Sequence, residues 1–301
     1  MEIDIEAIFE EKGKAVAAQL EHLPRGAMGE AIQYAMRGGK RLRPVLAIMC
    51  CEAAGGDAET ALPFAVSVEA AHNFTLIHDD ILDRSAERRG AESVPARYGI
   101  NEALVVGDAL AAWAFEHSPL SHDLAGAVYA VCEGQLLDLA YSERNPTERE
   151  YMVMIELKTA RLFELAARGG ALLGGAPSST VHNIAGYGRS LGMAYQLYDD
   201  LRDLTEGGGG DIREGKRTLP VIYALSHAAP THREALMAML EGGRVDLDQV
   251  REIMRATRSL EYTREKVDAF AERAQSLLAC LPPSEGKDIL AALPPYMLRT
   301  Q

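Results

Sequence analysis

The segment LVVGDALAAWAF (Leu104–Phe115) is apolar around most of a helix's circumference. A surface helix keeps a polar stripe, so a segment like this belongs in the middle of a helical bundle. The rest of the chain repeats the signal. Apolar residues recur at three- and four-residue spacing through 28–36, 66–82, 127–140, 152–173 and 184–204. The pattern continues through 221–228, 234–240, 247–256 and 263–281. Breaks fall at Gly38-Gly39, Gly55-Gly56, Gly90, Gly99, Asn145-Pro146, Gly174-Gly175 and Gly207–Gly210. Period-two alternation is scarce, and no Asn-Gly or Asp-Gly turn joins β-branched runs. The expectation is an all-α fold: a single domain over residues 1–301, built as a bundle of about ten or more helices around a central cavity.

At 48% hydrophobic, the 301 residues hold ample material for a large core. The net charge of −13 argues against a nucleic-acid surface, which needs cations to offset phosphate. It also means that any anionic ligand must be met by metal ions or by locally gathered cations. Cys50, Cys51, Cys132 and Cys280 form no C-x-x-C pair and no zinc pattern, and read as reduced thiols. The start MEIDIEAIFEEKGK is acidic and amphipathic, without the apolar core of a signal peptide. No run reaches the ~20 apolar residues of a membrane helix. A cytoplasmic protein without a membrane span is expected.

Two acidic clusters carry the chemistry. FTLIHDDILD places Asp79, Asp80 and Asp83 on an apolar helix, and YQLYDDLRDL repeats the arrangement with Asp199, Asp200 and Asp203. Residues four apart share a helix face, so Asp79 projects with Asp83 and Asp199 with Asp203. Like charges so close repel, and burying them unpaired is costlier still. Cations must compensate. Oxygen ligands without His or Cys point to Mg²⁺, which binds few carboxylates and fills its octahedron with water and substrate phosphate. Two clusters are expected to hold several Mg²⁺ ions around one diphosphate. A single D-D-x-x-D is usually a solvated helix end; two on apolar helices are harder to dismiss.

Cations to match occur in GGKRLRP (38–44), in RRG (88–90), in KTAR (158–161) and in EGKR (214–217). Arginine forks and lysine point charges are how proteins hold phosphate. Taken in order with GDAL (107–110), GQLLDL (134–139) and YQLYDD (195–200), these motifs resemble the trans-type isoprenyl diphosphate synthases, which include farnesyl and geranylgeranyl diphosphate synthases. The resemblance runs from about residue 25 to 220. It implies that Asp79, Asp80, Asp83 and Asp199 hold the Mg²⁺ ions of the allylic diphosphate, with Asp200 and Asp203 completing the second cluster. Arg88, Lys158 and Lys216 would contact that diphosphate. Lys40, Arg43, His72 and Arg89 would hold isopentenyl diphosphate, and Thr159 and Gln196 would sit beside the reacting carbons. Read without the resemblance, His72 is a core histidine satisfied by a neighbour.

The short stretch from Asp203 to Asp211 lacks a lysine usual in the family, with Arg202, Arg213 or Arg217 as replacements. For product length, Phe74 and Thr75 lie ~6–7.5 Å below Asp79 along the helix. An aromatic at position 74 resembles short-product enzymes, and the first cluster lacks the two-residue insertion of typical bacterial farnesyl synthases. The product expected is geranylgeranyl diphosphate, then farnesyl diphosphate, with Trp113 as a deeper floor. A class I terpene cyclase and a non-catalytic partner subunit are the alternatives. By resemblance the chain pairs as a homodimer, with Leu104–Phe115 a candidate contact.

Overall fold

The computed structural model describes residues 3–20, 23, 26–142, 144–206 and 208–298. Met1, Glu2 and Gly207, named above in the N-terminal segment and the glycine run, lie outside them. The helices in chain order are α1 (Ile5–Leu20), α2 (Gly29–Ala35), α3 (Leu42–Ala53), α4 (Ala58–Leu82), α5 (Val94–Tyr98), α6 (Ile100–His117), α7 (Ser121–Ser142) and α8 (Glu148–Ile155). They continue with α9 (Arg161–Leu173), α10 (Ser178–Thr205), α11 (Gly210–Arg213), α12 (Leu219–His227), α13 (Pro230–Leu240), α14 (Leu247–Thr257), α15 (Ser259–Leu277) and α16 (Glu285–Met297). The all-α expectation holds, and the described glycine, proline and asparagine breaks fall between helices, except Gly210, which opens α11. Among the described residues, strand is confined to a two-residue antiparallel hairpin, Glu87–Arg88 with Ala91–Glu92. The helical pattern through 152–173 is not one helix: a π turn over Glu156–Ala160 separates α8 from α9. No helix among the described residues is long and apolar enough to cross a membrane.

The chain forms two compact units. The first comprises residues 1–128, 162–185 and 278–293. Its axis is α4, which begins where Asp57 accepts a hydrogen bond from the Thr60 backbone at 2.7 Å, the usual closure of a helix N-terminus. Phe64, Val66, Val68, Phe74 and Ile77 of α4 are all buried, because α3 and α6 pack along it. α6 itself is less enclosed than its sequence implies. It buries Val106, Leu110 and Ala114, while Leu104 and Val105 are 49% and 54% exposed. α9 lies close on α3: a methyl group at Gly170 would overlap the Ala47 carbonyl oxygen, and one at Gly169 the Phe64 ring.

The second unit comprises residues 129–161, 186–277 and 294–301. Its apolar interior has two parts. One gathers Tyr151, Met154, Ile155, Met193, Leu197, Leu201 and Ile222. The other gathers Leu204, Ile212, Val221, Leu236, Val250 and Ile253. The later half of α10 runs from one to the other, which fixes the helix that carries the second acidic cluster. α8 starts at a reciprocal cap between Thr147 and Glu150. Arg144 adds a 2.7 Å bond to Glu150, and together they hold that carboxyl down at about 2.

The α3–α9 contact can be tested directly. Gly170→Ala forces backbone against backbone and is expected to lower stability by about 1–3 kcal/mol, read as a shift in the urea midpoint. An unchanged midpoint would show that the two helices are free to move apart.

Candidate active site

Each acidic cluster sits at the carboxyl end of its helix. Asp79 and Asp80 lie in the last turn of α4 with Asp83 at its C-cap, and Asp199, Asp200 and Asp203 lie in the last two turns of α10. That end of a helix carries partial negative charge, so carboxylates there add to an unfavourable field. The sequence answers with cations delivered by the next segment.

In the first unit the answer comes from the hairpin. Arg89 and Gly90 both have positive φ, 56° and 72°, the geometry of a tight two-residue hairpin turn. It turns Arg88 back onto Asp80, with Nε and Nη2 at 2.9 and 2.5 Å from one carboxylate oxygen. Asp80 is only 2% exposed. Burial pushes its carboxyl up and Arg88 pulls it back. Asp79 and Asp83 remain half-exposed. Arg89 points elsewhere, donating to the Arg37 carbonyl and to Asn73. Arg43 is buried over the Phe163 ring, 4.4 Å to the centroid, and its Nη1 lies 3.1 Å from His72 Nε2. A guanidinium only donates, so His72 accepts on Nε2 and is neutral. Burial, then Arg43, Arg89 and Arg88, hold its pKa well below the ordinary value. Lys40 is exposed just before α3. Thr75 donates back to the His72 carbonyl at 2.7 Å. Phe74 is 7% exposed and meets His78 edge-on at 5.4 Å, whereas Trp113 is half-buried and stacks on His117 at 4.3 Å.

In the second unit one run of side chains links three of the predicted residues, Thr159, Gln196 and Asp200. Tyr151 donates to Asp200 Oδ2 at 2.5 Å, Gln196 Nε2 donates to Asp200 Oδ1 at 3.0 Å, and Thr159 donates to Gln196 Oε1 at 2.8 Å. The Gln196 amide sets the direction of the run: its nitrogen can only donate, to Asp200, and its oxygen only accept, from Thr159. Asp200 is 2% exposed, and burial raises its pKa to about 8 despite Tyr151 and Gln196. Both of its oxygens are engaged inside the protein, one by Tyr151 and one by Gln196. Thr159 and Lys158 lie in the π turn, a distortion found often at functional sites. α7 approaches that turn closely, since a methyl group at Gly134 would come within 2.7 Å of Lys158 Cα. Lys158 donates to Asp138 at 2.6 Å, so GQLLDL supplies both the space and the counter-charge.

Asp203 accepts from the backbone of Gly210 and Asp211, at 2.9 and 3.1 Å, and so ties the glycine stretch to α10. Lys216 lies 2.7 Å from Glu214 and 3.7 Å from Asp211. Asp211 was not singled out by its sequence. Burial raises its pKa to about 6, Lys216 opposing and Asp203 and Asp199 adding to the rise. The signal was present as the aspartate just ahead of EGKR. Of the arginines offered for the missing lysine, Arg217 is bound to Asn145 and to the Ser142 carbonyl, while Arg213 is exposed and Arg202 half-buried.

Among the described residues, no group of three or more His, Cys, Asp or Glu side chains is gathered to hold an ion alone. That suits a hard cation whose shell is completed by water and phosphate oxygen, for which one or two carboxylates suffice. Asp79, Asp83 and Asp199 are half-exposed, and an all-oxygen donor set fits such a cation.

Residues 26–257 match the family described as polyprenyl synthetase. The chain is 36% identical over 283 residues to a geranylgeranyl diphosphate synthase of Methanosarcina mazei, covering 87% of this chain and 86% of the relative. It is 35% identical over 272 residues to the octaprenyl diphosphate synthase of Escherichia coli, covering 85% and 84%. The crystal structure of a polyprenyl synthase from Caulobacter crescentus, complexed with calcium and isoprenyl diphosphate, superposes with a TM-score of 0.86 at 30% identity, covering 97% of this chain and 94% of that one. With its helical fold, its paired acidic clusters and these relatives, the chain belongs to the polyprenyl synthetase family and is a prenyl diphosphate synthase.

Proposed function

We propose that the protein condenses isopentenyl diphosphate head to tail with an allylic diphosphate, using Mg²⁺, and releases a short trans-prenyl diphosphate, geranylgeranyl first and farnesyl second. The observation that carries this reading is the presence of two acidic clusters, each at the carboxyl end of its helix, with paired cations in the same unit. Arg88 stands on Asp80, and Lys216 beside Asp211 and Glu214. The calcium and isoprenyl diphosphate complexed with the Caulobacter protein support the same ligand chemistry.

Asp79, Asp83 and Asp199 would hold the Mg²⁺ ions, and Asp203 would brace the second cluster by fixing the backbone of Gly210 and Asp211. Bound Mg²⁺ supplies charge neutralisation for the departing diphosphate. Arg88, Lys158 and Lys216 add fixed positive charge on the same group, which lowers the barrier to breaking the allylic C–O bond. The allylic cation is then attacked by the double bond of isopentenyl diphosphate, which Lys40, Arg43, His72 and Arg89 hold. A proton leaves the adduct for the released diphosphate. Gln196 and Thr159, oriented through Asp200 and Tyr151, present oxygen lone pairs to the passing positive charge. Phe74 sits buried one turn below Asp79 and supports an early end to chain growth; Thr75 lies beside it, and Trp113 farther along as a floor. The exposed Leu104 and Val105 of α6 support a homodimer, because exposed apolar surface marks association sites.

Purified protein, Mg²⁺ and labelled isopentenyl diphosphate, offered each allylic primer in turn, are expected to give products ending at twenty carbons or fewer, a length set by the short-chain reading. Chelation should abolish incorporation, and Phe74→Ala should lengthen the product. Parent products of forty carbons would overturn the short-chain reading, and an unchanged spectrum in the variant would remove Phe74 from length control. Conversion of one allylic diphosphate to a hydrocarbon without isopentenyl diphosphate would favour a cyclase. Sedimentation of the same preparation should give twice the chain mass, with Leu104→Glu shifting it to the monomer; a monomeric parent would refute the dimer.

A further inference from the structure

The first unit holds a buried carboxylate that the mechanism above does not use. Glu69 of α4 is 2% exposed, and Asn73, one turn on, is equally buried. Asn73 Nδ2 donates to Glu69 Oε1 at 3.1 Å and to the Glu69 carbonyl at 2.8 Å. With its nitrogen so committed, Asn73 turns its Oδ1 to Arg89, whose Nη1 donates to it at 3.2 Å. Arg89 Nη1 also donates to the Arg37 carbonyl at 3.0 Å, so one end of the guanidinium is held while the side chain keeps a solvent-accessible surface. Gly39 leaves room for it: a methyl group there would stand 2.7 Å from Arg89 Cζ.

Burial pushes the Glu69 carboxyl up, and Arg89, Asn73, Arg43 and Arg41 pull it back, in that order. A lone buried carboxylate is a poor device for stability, since desolvation commonly cancels the attraction. Among arginines that repel one another before substrate arrives, it offsets that repulsion from the protein side and leaves the solvent side for an anion. It also sets the Asn73 amide, which otherwise has two orientations.

We propose that Glu69 and Asn73 are positioning residues for isopentenyl diphosphate: Glu69 orients the Asn73 amide, and Asn73 aims the Arg89 guanidinium at the diphosphate. This rests on the assignment of Arg89 to that substrate. Neither residue touches substrate. Both act through Arg89, and Glu69 supplies the buried negative charge that keeps the arginines together.

The test is a kinetic cycle on the full chain with Glu69→Gln, Arg89→Gln and the double variant. Loss of the buried charge is expected to raise KM for isopentenyl diphosphate about tenfold, with KM for the allylic diphosphate within about twofold, the scale of one hydrogen bond to a charged group. In the Arg89→Gln background, Glu69→Gln should add little. Asn73→Ala takes the place of Glu69→Gln if the latter's thermal melt shows it unfolded, and should give the same split. If both KM values rise together, or the Glu69 effect persists in full without Arg89, Glu69 is only structural and the proposal fails. If Arg89→Gln itself leaves KM for isopentenyl diphosphate unchanged, the assignment of Arg89 is what fails, and the positioning roles fall with it.

Discussion

Carboxylates at the negative pole of a helix need a partner of opposite charge, and much of this chain's local architecture supplies one. At the end of α4 the chain turns at once into a hairpin that delivers Arg88 to Asp80. After α10 the glycine stretch folds back, so that Asp203 caps α11 and Lys216 approaches Asp211. In both places a helix that would be unfavourable alone becomes acceptable because the next segment completes it. Asp79, Asp83 and Asp199 stay half-exposed, where a hard cation can reach carboxylate oxygen. A protein of net charge −13 can thus take an anionic substrate without a basic surface.

The two clusters are built to the same plan but differ in their buried members. Asp80 is satisfied by a charged donor, Arg88, through two bonds to one oxygen, and under the proposed role of Arg88 a diphosphate would compete for it. Asp200 is satisfied by the neutral donors Tyr151 and Gln196, neither of which an anion would displace. The first arrangement suits a residue that exchanges partners when ligand arrives, the second a residue that holds its neighbours still.

Much of this was legible in the sequence. Helical periodicity and its glycine breaks give the all-α fold, because both follow from local backbone preferences that tertiary packing did not override. The acidic clusters were legible because like charges on one apolar face need a reason. What the sequence hid was relational. Nothing in positions 79–83 says that Asp80 faces inward to Arg88 while Asp79 and Asp83 face solvent. Asp211 looked like a loop residue, since its burial depends on the path back from Asp203. The hairpin at Arg88 went unseen because its turn uses Arg-Gly where Asn-Gly is the stronger signal. The exposed face of α6 was read both as bundle interior and as a candidate contact, since apolarity alone does not distinguish an interior from an exposed face.

The π turn at Glu156–Ala160 has a consequence for how this segment can vary. One extra residue in a turn rotates everything after it by about 100° relative to what came before. The π turn is therefore a phase step in the backbone. Lys158 and Thr159 sit at the step. No single side-chain replacement removes a phase step, since it is a count of residues and not a contact. Loss of one residue would erase it and swing Lys158 away from Asp138, so this stretch tolerates changes of composition far more readily than changes of length.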